Sequence, residues 1–399
     1  MRPSETDNGQ EWIGNFDPHD QDAAVLLVDS MRFVTMTTMR QALATKLSAS
    51  SIGNIEEPAM LVPERALTDF GVDPAQNPAA FRDFDPGAGL SVTPGSEGFI
   101  GSLIRDLIGR EPDRWIPPGA SLDDLKSRGC RSIVILSDFI GTGNRVHRLA
   151  AALRRNATIR SWHSFGWLRV HAVAYSGSPD SIRSLARAGS PVASVTVVES
   201  APTLGATRWD DRTRDDIELV CRSYASNKSF ALGYEASGVL FASDRGAPNN
   251  LPAIFWQRRP AKWKPLFPEK TARPDFVEQL GDYIPEAPFA ELMERVNQSR
   301  LGRNDRIAPM RASIQDLVSV LASVRHGTRD VAEMAGSLHV PHDEVKGWIE
   351  ALIQLGLVDT DRKLTALGAT VLDAANWGRR RTTARLRGDG SMYYPSSLR

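Results

Sequence analysis

Apolar positions lay out the plan of the chain. From Ala23 to about Leu47 they recur at helical spacing (Val25, Leu26, Val28, Met31, Val34, Met39), which predicts helices. The polar stretch 1–20 ahead of them predicts a poorly ordered tail. A short apolar run within AMLVPERAL (59–67) predicts a buried strand ending at Pro63, and the Gly/Pro/Asp-rich DFDPGAGLSVTPGSEG (83–98) predicts loop.

Strand and helix patterns then alternate. IVILSDFIG, WLRVHAVAY (167–175) and VASVTVVES (192–200) read as strands, with NRVHRLAAALRRN and SPDSIRSLARAG as the helices between them. Such alternation implies a parallel sheet with helices on its faces. Trp162, His163, Phe165 and Trp167 cluster just before a strand and are expected to pack against the sheet. DDIELVCRSYA reads as a helix, GYEASGVLFA as a further strand, and IFWQRRPAKWKPLFPEK as an irregular cover over the sheet.

From about Ile307 the pattern changes to short helices: ASIQDLVSVLASV, RDVAEMAGSLHV and PHDEVKGWIEALIQLGLV. LVDTDRKLTALGATVL follows as a tight hairpin and a last helix. This is the plan of a winged helix-turn-helix, with Val340-Pro341 as the turn, Gly356–Leu364 as the wing, and Val331, Met334, Leu338, Val345, Trp348, Ile349, Leu352, Leu355 and Leu357 buried. The expected division is 1–55 (tail and helices), 56–280 (α/β domain), 281–306 (linker), 307–376 (winged helix) and 377–399 (Arg-rich tail).

Composition narrows the function. Of 399 residues, 41% are hydrophobic and 24% charged, ordinary values for a globular protein. The 48 basic and 48 acidic residues cancel, so any nucleic-acid contact must come from a local patch. No run of about 18 apolar residues suggests a membrane span, and MRPSETDNGQEW lacks the apolar core of a secretion signal. Cys130 and Cys221 suggest neither a disulfide framework nor a metal cage, and a cytoplasmic protein is expected.

The candidate chemistry lies where Ile133–Leu136 stops being apolar. After Ser137 and Asp138, the loop Gly141, Thr142, Gly143, Asn144 opens a helix that begins with Arg145. Glycines let the backbone approach an anion, and the free amides and dipole of the first helical turn attract it. Asp138, one short loop away, is placed to accept hydrogen bonds from ribose hydroxyls. Arg145 and Arg65, the latter just after the first strand, are candidate contacts to phosphate oxygens. Asn249 and Asn250 are candidates for a base or sugar edge, although Pro-Asn-Asn is equally a turn former. No Ser/His/Asp or Cys/His arrangement can be assembled.

These residues resemble the type I phosphoribosyltransferase motif: four apolar residues, two acids, a short variable stretch, then Thr-Gly and a small polar pair. By that resemblance Asp138 matches the second acid, and Thr142, Gly143 and Asn144 match the 5′-phosphate cradle. Ser137 stands where the first acid is usual, and Arg145 where a Thr usually closes the loop. SDFIGTGNR, GYEASGVLF, APNNLPAIFW and WKPLF together resemble, over roughly 20–270, the phosphoribosyltransferase-like effector family of bacterial conflict and anti-phage systems. The resemblance implies phosphoribosyl pyrophosphate or a nucleotide as ligand, with Mg²⁺ carried on the substrate. The rival expectation is a non-catalytic nucleotide-sensing regulator. Its nucleic-acid contacts, to DNA or RNA, would be Lys346 on the third helix and Arg379, Arg380 and Arg381 in the tail, and a reverse transcriptase is a further candidate partner. Asp343, Glu344 and Glu350 beside Lys346 make that helix a poor electrostatic footprint.

Overall fold

The computed structural model describes residues 1–49, 52, 54–66, 96–207, 209–285 and, with breaks, 289–376. The sequence readings at 83–95, at the turn Val340-Pro341 and in the tail from Trp377 lie outside these residues. The chain forms two compact units, Met1–Ala206 with Thr213–Pro285, and Thr207–Arg212 with Glu286–Arg399.

The first unit centres on a five-stranded parallel sheet. Its strands are β2 (Ala59–Pro63), β3 (Trp115–Ile116), β4 (Ser132–Ile140), β5 (Arg169–Gly177) and β6 (Ser194–Ser200), in the order β3-β2-β4-β5-β6. Alternation along the strands divides the core. Met60, Val62, Ile133 and Ile135 face one layer, which includes Leu125, Val146, Leu149, Leu153, Ile159 and Leu185. These come from α5 (Leu122–Ser127), α6 (Asn144–Leu153), α7 (Ala157–Ser164) and α8 (Pro179–Leu185). Ala59, Leu61, Val134 and Leu136 face the other, packed on Met39, Leu43, Leu47, Leu103 and Leu107. That layer is α3 (Met36–Ser48) and α4 (Ser96–Arg110), and two further helices, α9 (Asp211–Tyr224) and α10 (Pro274–Leu280), come later in the chain. With both faces covered, the strands read as continuous apolar runs.

Several sequence readings are corrected. Residues 1–20 are built into the fold through α1 (Asp7–Ile13). Trp12 is fully buried, stacks on Phe255 at 4.8 Å, and donates through Nε1 to the Ile254 carbonyl at 2.8 Å. The IFWQRRPAKWKPLFPEK segment thus packs on the amino-terminal helix, Trp263 meeting Phe16 edge-on at 5.4 Å. GYEASGVLFA yields only the short β7 (Phe241–Ser243), which pairs in parallel with β1 (Arg32–Val34) outside the main sheet. Between α2 (Gln21–Asp29) and α3, β1 interrupts the expected helices. Its Arg32 is buried and binds Glu199 of β6 at 2.8 Å and the Tyr175 hydroxyl of β5 at 2.8 Å, tying the small sheet to the large one. Finally, Phe165 and Trp167 are exposed rather than packed on the sheet, and Trp162 alone joins the core margin.

The second unit has the winged-helix elements: α12 (Ala312–His326), α13 (Val331–Leu338), α14 (His342–Gln354) and α15 (Ala366–Asn376). Four-residue α11 (Ser299–Gly302) precedes them. Val358 and Leu364 form the antiparallel bridge of the wing, whose tip turns at Arg362 with φ 57°. Val331, Met334, Leu338, Val345, Ile349 and Leu352 are buried as expected, while Trp348 and Leu357 only line the core. Leu355 is exposed, a correction that follows from its position past the last turn of α14.

Candidate functional site

A doubly wound sheet binds its ligand at the carboxyl ends of the strands, where the strand order reverses. Here that point falls between β2 and β4, which pair from Ala59↔Ser132 to Pro63↔Leu136. After Pro63 the chain leaves toward β3 on one side, and after Ile140 it leaves toward β5 on the other. The segments that flank the crevice are Glu64-Arg65-Ala66 and Gly141-Thr142-Gly143.

The second segment is held from below and left open above. Ser178, the N-cap of α8, donates through Oγ to the Gly141 carbonyl at 2.8 Å, and its amide donates to the Ile140 carbonyl at 3.0 Å. Gly143 caps α6 with φ +78°, a conformation that side chains disfavour. Among the described residues, the backbone amides of Thr142, Gly143, Asn144 and Arg145 have no intramolecular acceptor. Four N–H groups are thus left without a partner at the start of a ten-residue helix whose dipole adds positive potential. Thr142 is half-buried, and Asn144 and Arg145 are exposed.

Asp138 lies half-buried near the end of β4, its Oδ1 accepting from the Phe139 amide at 2.9 Å. Ser137 is buried and its hydroxyl donates to the carboxylate of Glu64. Glu64 in turn is fixed by its own amide, which donates to the Leu136 carbonyl at 2.7 Å. Sequence reasoning missed Glu64. The serine that replaces the usual first acid is thus bonded to a carboxylate from the neighbouring strand, so the crevice retains two acidic side chains, Asp138 and Glu64. Arg65 is buried, with 1% of its surface exposed.

The Pro-Asn-Asn turn reaches the same place. Asn250 is buried, and a methyl group at Gly141 would sit 2.1 Å from its Oδ1. Its Nδ2 donates to Ser237 Oγ at 3.0 Å, and its carbonyl accepts from Val239 at 3.2 Å. Gly233, with φ +80°, makes room for that carbonyl. Asn249 is exposed and accepts from Lys270, whose Nζ lies 4.3 Å from the Trp256 ring centroid. Burial lowers the Lys270 pKa from its usual range.

A phosphoribosyltransferase model describes this arrangement: the one named PRTase-CE matches residues 10–269. The chain belongs to the PRTase-CE family. A second model, described as wHTH-PRTase associated, matches residues 318–399, so the second unit is the winged helix that goes with such domains. No curated protein and no solved structure matches the chain. The PRTase-CE match includes Trp12 and Phe16, in keeping with their burial in the first unit. In the winged helix, Lys346 is exposed on α14, as are His342, Asp343, Glu344, Glu350 and Gln354. Arg379, Arg380 and Arg381 lie outside the described residues. No helix among the described residues is long and apolar enough to cross a membrane.

Cys130, Cys221 and His171 lie in the core. Both cysteines are buried free thiols, and burial pushes Cys221 up to about 12. His171, inside β5, is pushed down to about 4 by burial and by Arg169. His147 is exposed on α6.

Proposed function

We propose that this chain is a phosphoribosyltransferase-like effector that binds phosphoribosyl pyrophosphate, or a nucleotide, at the 138–145 loop. The observation that carries the reading is the set of unsatisfied amides from Thr142 to Arg145 beside the carboxylates of Asp138 and Glu64. The amides and α6 dipole would hold the 5′-phosphate, with Arg145 at its edge. Asp138 would accept from the ribose hydroxyls, and Glu64, oriented by Ser137, would take the part of the missing first acid. Arg65, at the end of β2, is the candidate cation for the pyrophosphate. In the transfer step the bond from the anomeric carbon to the pyrophosphate oxygen breaks as the acceptor's lone pair bonds to that carbon. Positioning and charge stabilisation would supply most of the acceleration. Two carboxylates beside substrate phosphates suit a Mg²⁺ that arrives on the pyrophosphate, since this ion favours phosphate oxygens, one or two carboxylates and water.

Calorimetry tests this. With Mg²⁺ present, phosphoribosyl pyrophosphate should bind wild type, and Asp138→Ala should weaken binding at least tenfold while the fold persists. Equal binding by both proteins would remove Asp138 from the site. The defence setting rests on the family resemblance. Phage plating on cells carrying wild type or Asp138→Ala checks it, and protection by wild type alone is expected.

Ser137 and the associated winged helix favour a second reading, a non-catalytic nucleotide sensor that acts through DNA, RNA or a reverse-transcriptase complex by way of Lys346 and Arg379–Arg381. It predicts ligand binding without pyrophosphate release against any acceptor, which distinguishes it from the enzyme.

A further inference from the structure

The surface beyond α6 carries a feature that the phosphate loop does not use. Between Asp138 and Asp180 the sequence has no acidic residue and six arginines: Arg145, Arg148, Arg154, Arg155, Arg160 and Arg169. Within that stretch Phe165 and Trp167 are 68% and 55% exposed, stacked on one another with ring centroids 5.3 Å apart and planes 29° from parallel. Turn hydrogen bonds fix the pair: Phe165 N to the Ser161 carbonyl at 3.1 Å, and Trp167 N to the Trp162 carbonyl at 2.8 Å. Two large rings exposed side by side form an apolar patch of the kind that marks an interaction site.

Their surroundings are positive. Arg160 and Arg169 are exposed on either side of the pair in sequence, and Arg131 is exposed at the start of β4, its carbonyl accepting from the Arg169 amide at 3.0 Å. Arg154 and Arg169 both lie close enough to His163, beside the rings, to lower its pKa, with burial the larger cause. Among the described residues, Arg131, Arg154, Arg160 and Arg169 form no ion pair. The cluster sits at the amino ends of β4 and β5, the opposite end of the sheet from the loop 141–145.

We infer that Phe165, Trp167 and the surrounding arginines form a binding platform for single-stranded nucleic acid on the phosphoribosyltransferase-like domain itself, separate from both the phosphate loop and the winged helix. Exposed rings accept unpaired bases by stacking, guanidinium groups neutralise the backbone, and a duplex hides the base faces that the rings would meet. An acidic protein would satisfy the arginines but would give the rings no comparable partner.

The test uses the full chain and a fluorescent single-stranded oligothymidylate, read by anisotropy over a range of salt. Phe165→Ala with Trp167→Ala should weaken binding about tenfold, the loss of stacking with one base. Arg160→Gln with Arg169→Gln should reduce the salt slope by roughly 1.4, about 0.7 for each arginine. Both variants should keep the melting temperature and the phosphoribosyl pyrophosphate affinity of wild type. Photocross-linking of a bromouracil-substituted strand should label the peptide containing Phe165 and Trp167. Four results would overturn the proposal: no binding, cross-links confined to residues after 286, preference for duplex, or equally strong competition by polyglutamate. Concentration-dependent self-association that Trp167→Ala abolishes would do so as well, by assigning the face to a second copy of the chain.

Discussion

Gly141 shows how narrowly single residues define this crevice. A β-carbon there would lie 2.1 Å from Asn250 Oδ1, so Asn250 would have to leave Ser237. Gly141→Ala is expected to destabilise the protein by about 1–3 kcal/mol, as overpacking does, and to weaken phosphate binding. Adding Asn250→Ala should recover part of the loss, a coupling that a double-mutant cycle in urea can measure. His171 makes a pH prediction. Its folded pKa is about 4 against an ordinary 6.5, so it stays neutral while the unfolded chain takes up a proton. Its contribution is complete above pH 6.5 and is lost as pH falls toward 4, at most about 3 kcal/mol. Melting curves of His171→Gln should therefore be flatter across that window than those of wild type. At this scale Asp138 and the glycine loop were legible, because loop and strand adjoin in sequence. Glu64 was not, because it precedes Ser137 by 73 positions and only the parallel register brings them together.

Among elements, β2, β4 and β5 were readable because helices cover both faces and favour apolar runs, and the half-buried edge strand β6 because of its β-branched Val195, Thr196, Val197 and Val198. The two- and three-residue strands β1, β3 and β7 carry too few side chains for any period to show. Phe165 and Trp167 depart for the opposite reason: apolar character before a strand implies burial, yet both face solvent. Support for the phosphate loop comes from an element that follows it, α8, through Ser178. Ser178→Ala removes the bond to the Gly141 carbonyl together with the cap on Ser181, and should cost about 1 kcal/mol. A drop of roughly 2–4 °C in melting temperature is expected for a unit of this size, accompanied by weaker ligand binding. An unchanged affinity would mean that the loop keeps its shape unaided.

Over the whole molecule, the two units answer to two family models, and the second unit begins near 286, well ahead of the pattern change at about Ile307. The stretch expected as linker supplies Phe289, Leu292, Met293, Val296 and Leu301 to its core, a correction. The amino-terminal segment is where sequence reading failed at this scale. Its polar composition hid Trp12 and Phe16, whose partners Phe255 and Trp263 lie far along the chain. Trp12→Ala should cost about 3–5 kcal/mol, the usual range for a fully buried large ring, which urea denaturation would register. The central claim is that the amides of the loop after β4 hold a phosphate. Phosphorus NMR of ribose 5-phosphate titrated with protein tests it most directly, using wild type and Thr142→Glu, which sets a carboxylate among those amides without altering a glycine. A phosphate resonance that shifts or broadens with wild type and stays put with the variant is the predicted result. The same response with both proteins, or none with wild type, would contradict the account.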